Sequence, residues 1–136
     1  MAVLNGHMTL GAPFSNASEL VSITYDFSVD TGAVADYDVI TADGNLLVEL
    51  VNIDVEAALT SATDFAIDLG KDAGGVEFRS NSAKAVFALD AQVPADTVGT
   101  IVELADGEKI VMGIETAAAT AGKMHMMYRI YKRPGQ

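Results

Sequence analysis

Cysteine and tryptophan are absent from the 136-residue chain, and basic residues are few. Without cysteine, disulfides, zinc thiolate sites, iron–sulfur clusters and cysteine nucleophiles are excluded. With no Trp, five Phe and four Tyr, an aromatic platform for a sugar is poorly supplied. Eight basic residues face 19 acidic ones, for a net charge of −11. Electrostatic binding to a nucleic-acid backbone is therefore excluded unless the basic residues are segregated into a patch.

Long apolar runs are missing as well. Residues 1–20 contain no Lys or Arg and no apolar block of the length that a signal peptide needs, and a membrane-spanning helix would require about 20 apolar residues. We therefore expect neither a secretory signal nor a membrane segment. Half of the residues are hydrophobic and a fifth are charged, which is the composition of one packed globular domain.

The local pattern is that of β-strands. From Val21 to Val29 apolar residues alternate with polar ones, which indicates a strand with one buried face and one wet face. The pair Asp106-Gly107 gives the strongest hairpin signal, and residues 57–61 are interpreted as a connection. Residues 116–122 are alanine-rich but too short for more than two helical turns. Further strands are predicted over residues 34–40, 46–55, 65–69, 85–89, 99–104, 109–114 and 123–131.

About eight short strands cannot all lie in one flat sheet without exposing apolar faces. We therefore predict an all-β fold, an antiparallel β-sandwich of about eight strands. A jelly roll is one form that this sandwich could take, and a closed barrel is the architectural alternative. Residues 21–136 are predicted to form the single domain, and residues 1–20 an extended N-terminal arm. In the last strand, the four residues predicted to share one face are Met124, Met126, Tyr128 and Ile130.

Charge is unevenly placed along the chain. Residues 1–70 hold 11 acidic residues and no Lys or Arg, whereas residues 71–136 hold eight of each sign. All charged residues after Glu115 are basic. Either this tail balances acidic neighbours within the fold or is solvated, or it contacts an acidic surface on another subunit. In the second interpretation the basic contact residues are Arg129, Lys132 and Arg133.

No catalytic, cofactor or metal-binding device is predicted. Asp36 and Asp38 lack the spacing of a calcium loop and are interpreted as the solvent side of a strand. Residues 70–75 lack the ending of a phosphate-binding loop, and no Ser is framed by glycines as a nucleophile. His125 lies in the middle of a predicted strand, which favours a structural or interface histidine. We expect the chain not to be an enzyme.

Four segments, taken together, carry a resemblance to a known family. The segments read NGHMTLG from Asn5, YDFSVDTGAV from Tyr25, VEAALTS from Val55 and TAGK from Thr120. With the chain length, the acidity and the lack of cysteine, they resemble the head decoration (capsid cement) proteins of tailed bacteriophages. The resemblance implies a β-sandwich subunit, commonly a trimer, on the outside of the capsid at junctions between major capsid proteins. That family has no catalytic residues.

The implied partners are thus the major capsid protein and copies of the chain itself as a homotrimer, with no nucleic acid, membrane or cofactor, and the implied location is the virion. An extended arm can order on docking, although a frayed terminus is the alternative. A tail or head-fibre component remains a second structural hypothesis. A carbohydrate- or calcium-binding β-sandwich module is the rival from another class. The arm residues predicted as anchors are Val3, Leu4, Met8, Leu10 and Phe14.

Overall fold

The computed structural model describes residues 2–13 and 18–132 of the chain. This part contains ten strands, one short α-helix, and a single 3₁₀ turn at Lys84–Phe87. No helix within it is long and apolar enough to cross a membrane. The elements are β1 (Ala2–Leu10), β2 (Glu19–Asp26), α1 (Phe27–Asp30), β3 (Ala35–Ala42), β4 (Leu46–Ser61), β5 (Ala66–Lys71), β6 (Arg79–Ser82), β7 (Gln92–Val93), β8 (Ile101–Leu104), β9 (Lys109–Glu115) and β10 (Ala119–Tyr131).

The strands form two sheets. The first sheet has the order β1-β3-β9-β5-β6, and the second has the order β2-β10-β4-β7, with β8 also paired to β4. Every described pairing is antiparallel except that of β1 with β3, which is parallel. The predicted all-β sandwich is therefore confirmed, with ten strands in place of about eight and one parallel pair at an edge.

The core lies between the sheets, where the inward side of each strand is apolar. In β10 the predicted face is confirmed, because its four residues are at most 1% exposed while the intervening residues are half-buried. Tyr25 of β2 and Tyr37 of β3 meet edge to face across the two sheets, with ring centroids 6.4 Å apart. Phe78 and Tyr128 pack at 6.0 Å. Burial of these large side chains supplies the main driving force for the fold.

The strand predicted from Val21 to Val29 ends three residues early. The Asp26 side chain accepts a hydrogen bond from the Ser28 amide at 3.0 Å and so caps the one-turn helix α1. Val29 is consequently outside the strand and 54% exposed. The alternation of apolar and polar residues continues past Asp26 in the sequence. The hydrogen bond to the Asp26 side chain, and not this alternation, determines the backbone conformation there.

Two further local predictions were wrong. Residues 57–61 are not a connection, because β4 runs on to Ser61 and pairs there with the start of β10. Residues 85–89 are not a strand, since Lys84–Phe87 is a 3₁₀ turn that drives Phe87 into the core beside Phe65. In each case tertiary pairing or burial outweighed local propensity.

The hairpin predicted at Asp106-Gly107 is also wrong. A turn does occur there, with Gly107 at a φ of 82°. However, β8 pairs with β4 in the second sheet, whereas β9 pairs with β3 and β5 in the first. The turn therefore passes the chain from one sheet to the other.

Candidate interaction surfaces

Four of the five residues predicted as arm anchors fall on β1, at the edge of the first sheet. Leu4 is 2% exposed and belongs to the core of the chain itself, and Leu10 is half-buried. Val3 and Met8 remain exposed, at 55% and 38%. Phe14 lies outside the described residues. Leu4 thus attaches β1 to its own domain, and a contact of the exposed Val3 and Met8 with a partner stays a prediction.

The basic residues predicted for an interface are at the end of β10. Arg129 projects from the outer face of the second sheet and donates a hydrogen bond from its guanidinium to Ser18 Oγ at 3.1 Å. Lys132 is half-buried just after the strand. Arg133 lies outside the described residues. The contact of these residues with another subunit stays a prediction.

Three exposed apolar residues on the second sheet were not predicted. Leu20 of β2, Val51 of β4 and Ile101 of β8 are 56%, 39% and 50% exposed on its outer face. The sequence held a signal for Leu20, because it shares the phase of Ser22 and Thr24 in an alternating strand. An apolar residue in the polar phase indicates an exposed contact position. The exposure of Val51 is harder to predict from the sequence, because Val51 is the extra residue at a register shift between β4 and β10.

A polar cleft of about 200 Å³ lies where β1, β2, α1 and β10 meet. His125 faces it, with Nδ1 2.8 Å from Thr24 Oγ1 and Nε2 2.9 Å from Glu56 Oε1. Lys123 Nζ is 3.3 Å from the other oxygen of Glu56. The hydrogen bond with His125, followed by that with Lys123, lowers the pKa of the Glu56 carboxyl. The predicted structural role of His125 fits this placement, where it links three strands.

The two carboxylates of the cleft also have partners. Asp30 accepts backbone hydrogen bonds from β1 and from the end of β2, and Asp26 accepts from the Ser28 hydroxyl at 2.7 Å. That hydroxyl contact is the largest cause of the lowered pKa of Asp26. Each charged group of the cleft thus has a hydrogen-bond or ion-pair partner. These hydrogen bonds stabilise the strand junction.

Carboxylates also meet on the outer face of the first sheet. Asp36 of β3 and Asp68 of β5 both lie opposite Gly113 of β9, with Glu115 two residues further along that strand. The neighbouring Asp68 carboxylate, then partial burial and Asp36, raise the pKa of Glu115. In the described chain no group of three or more such side chains is arranged to hold a metal ion. The cluster is thus a site of mutual repulsion.

Asp38 departs from its predicted position on the wet side of β3. It is only 5% exposed, and its carboxylate lies 2.8 Å from Lys109 Nζ on the neighbouring strand β9. The irregular register next to Asp38 brings four consecutive residues of β3 into buried positions. The lysine supplies a partner of opposite charge for Oδ2 of this buried carboxylate.

Two chains of solved bacteriophage capsid structures have a similar fold. One belongs to the acidic stable capsid structure of Helicobacter pylori bacteriophage KHP30, with a TM-score of 0.60, 11% sequence identity, and 85% of this chain and 87% of that chain covered. The other belongs to the cyanophage Pam1 capsid asymmetric unit, with a TM-score of 0.59, 18% identity, and coverage of 90% and 89%. No protein-family model and no curated protein sequence matches the chain. The likeness shows that the β-sandwich is a fold shared with chains of these two phage capsids.

Proposed function

We propose that the chain is a structural protein of a bacteriophage virion, acting as a decoration or cement subunit on the outside of the capsid. The observation that carries the proposal is the two-sheet fold, which matches chains from two phage capsid structures over 85% and 90% of its length. Such a subunit performs no reaction. It stabilises a shell through many weak contacts, each repeated around symmetry axes.

The surface of the chain is consistent with this activity. Leu4 fixes β1 to the core, so that Val3 and Met8 are presented outward on an ordered strand. A contact made by an ordered strand costs less conformational entropy than one made by a free arm. We propose that this strand contacts the major capsid protein and that further contacts join copies of the chain into an oligomer, which in the resembling family is a trimer.

The charge of the chain favours the outside of the shell over its DNA-filled interior. A net charge of −11 opposes approach to nucleic acid. Four of the basic residues form ion pairs with carboxylates of the same chain, which compensates their positive charge. The partner is accordingly a protein surface.

Co-sedimentation tests the proposal. The purified chain is mixed with expanded capsids assembled from the major capsid protein of the same genome, and the bound fraction and the heat resistance of the capsids are measured. The wild-type chain should co-sediment and raise the temperature at which the capsids open. The double variant Val3→Asp/Met8→Asp should bind at least tenfold more weakly, because two buried apolar contacts are replaced by charges.

The matched control is Val34→Asp/Val98→Asp, which changes two other exposed valines on loops of the chain. This control should bind as the wild type does. A wild-type chain that neither co-sediments nor protects the capsids would refute the proposal. Labelled protein found on tails or fibres in electron micrographs would reassign the chain to those structures, and calcium-dependent melting would favour the binding-module hypothesis.

A further inference from the structure

Four residues form a continuous row across the outer face of the second sheet. Arg129 of β10 lies directly opposite Leu20 of β2 on one side and Glu49 of β4 on the other. Glu49 in turn lies opposite Ile101 of β8. The row thus reads apolar, cationic, anionic, apolar, and its two ends are 56% and 50% exposed.

Arg129 is one of three cations, with Lys84 and Lys132, that form no ion pair within the described part of this acidic chain. Four others form ion pairs with carboxylates: Lys71, Arg79, Lys109 and Lys123. Within residues 2–13 and 18–132, Arg129 forms no such pair, and its hydrogen bond is to the neutral Ser18. A guanidinium has five N–H donors, so most of its capacity to bind a carboxylate is unused. Glu49 accepts a hydrogen bond from the Tyr131 hydroxyl at 2.6 Å and also retains acceptor capacity.

We infer that this face is a contact between two copies of the chain, related by a two-fold axis that runs parallel to the strands between β10 and β4. Rotation about that axis places Arg129 over Glu49 of the second copy and Leu20 over Ile101 of the second copy. Both contacts then occur twice, as an isologous interface requires. The order of the row makes the surface complementary to itself in charge and in apolar character.

The size of the face agrees with a stable contact. The face is roughly 19 Å wide, because four neighbouring strands are spaced about 4.8 Å apart. It is roughly 43 Å long, because the 13 residues of β10 rise about 3.3 Å each. Its area is therefore at most about 800 Å² on each copy. That is the area a partner buries in a standard interface. Val51 and Met127 supply further apolar surface near Arg129 and Tyr131, and Met, Arg and Tyr are enriched at interfaces.

Charge reversal tests the inference in solution without any capsid, so its failure is independent of the proposed virion role. Sedimentation velocity should show the wild-type chain as a dimer and not as the trimer that the resemblance implies. Arg129→Glu alone places a new carboxylate over Glu49 of the second copy, and Glu49→Arg alone places two guanidinium groups together. Each single variant should dissociate at least tenfold more readily than the wild type.

Mixing the two single variants provides the decisive measurement. In a heterodimer of Arg129→Glu with Glu49→Arg, both charge contacts join opposite signs, so dimers should reappear that neither variant forms alone. A repulsion confined to one chain could not be relieved in this way. A mixture that stays monomeric would therefore overturn the inference, as would a wild-type chain that is monomeric or trimeric.

Two additional variants keep the test interpretable. Lys71→Glu makes the same change in charge on the first sheet and should leave the dimer unchanged. Leu20→Asp probes the apolar end of the row and should weaken the dimer even if Arg129→Glu fails to fold, because Leu20 is exposed within the single chain. Thermal melting of each variant establishes that it is folded before its assembly is compared.

Discussion

The carboxylate of Asp30 accepts a hydrogen bond from the backbone amide of Asn5 at 2.6 Å, which ties the end of α1 to the middle of β1. Its second oxygen accepts from the amide of Asp26 at 2.9 Å. The pairing of β1 with β3 is interrupted between Val3 and Met8. Asp30 therefore holds the edge strand at the point where its own ladder is irregular.

Removing this carboxylate should loosen β1 selectively. We expect Asp30→Ala to lower the free energy of unfolding by about 1.5–3 kcal/mol, because two backbone amides lose a charged acceptor. Amide hydrogen exchange should accelerate in residues 2–10 more than in β10 at the centre of the second sheet. Asp43→Ala, which removes an exposed carboxylate of equal charge, serves as the control. Unchanged amide exchange in β1 would show that its pairing with β3 holds the strand in place without Asp30.

Gly32 occupies a position where no side chain fits. A Cβ at this residue would lie 2.4 Å from the backbone oxygen of Ala119, and the Ala119 amide donates a hydrogen bond to the Gly32 carbonyl at 2.8 Å. Gly32→Ala should therefore cost about 2 kcal/mol or more, because backbone would have to move. Gly11→Ala is the matched control, since its Cβ would meet only Asp43 O at an ordinary 3.5 Å. Equal melting temperatures for the two variants would contradict this.

The sequence predicted the fold class because alternation is a local property. The faces of β10 could be assigned from the spacing of Met124, Met126 and Tyr128 alone. The sheet to which each strand belongs could not be assigned. Asp106-Gly107 has the chemistry of a hairpin turn, but the pairing of β8 with β4 depends on residues some 55 positions away in the chain.

The candidate surfaces were only partly predictable for the same reason. Arg129 and the arm residues stood out by charge and hydrophobicity. The row that joins Arg129 to Glu49, Leu20 and Ile101 depends on the register of four strands, and no local pattern contains it. The position of Leu4 could not be predicted either. An apolar residue near a terminus looks the same in sequence whether it packs into its own core or contacts a partner.

Two buried tyrosines should respond differently to loss of the hydroxyl. Tyr25 donates to the Thr31 carbonyl at 2.6 Å, whereas the Tyr128 hydroxyl donates only to the Met126 sulfur at 3.7 Å. Burial raises the pKa of both phenols, so both stay protonated. We expect Tyr25→Phe to lose about 1–1.5 kcal/mol and Tyr128→Phe to stay within about 0.5 kcal/mol of the wild type in urea unfolding. A larger loss of stability for Tyr128→Phe would show that the weak hydrogen bond to the Met126 sulfur contributes more to stability than we expect.

The carboxylates around Gly113 should make stability depend on pH with a definite sign. Because Asp68 and Asp36 raise the pKa of Glu115, the folded state binds a proton there more readily than the unfolded chain does. Ionised Glu115 is therefore destabilising above its folded pKa, and the penalty disappears as the pH falls toward the unfolded pKa. Glu115→Gln should melt about 1–3 °C higher than the wild type near about pH 7, with the difference vanishing below about pH 4. In an Asp68→Asn background the gain should shrink, because the main source of repulsion has been removed. A gain that is independent of pH, or that persists in this background, would mean that packing and not charge is responsible.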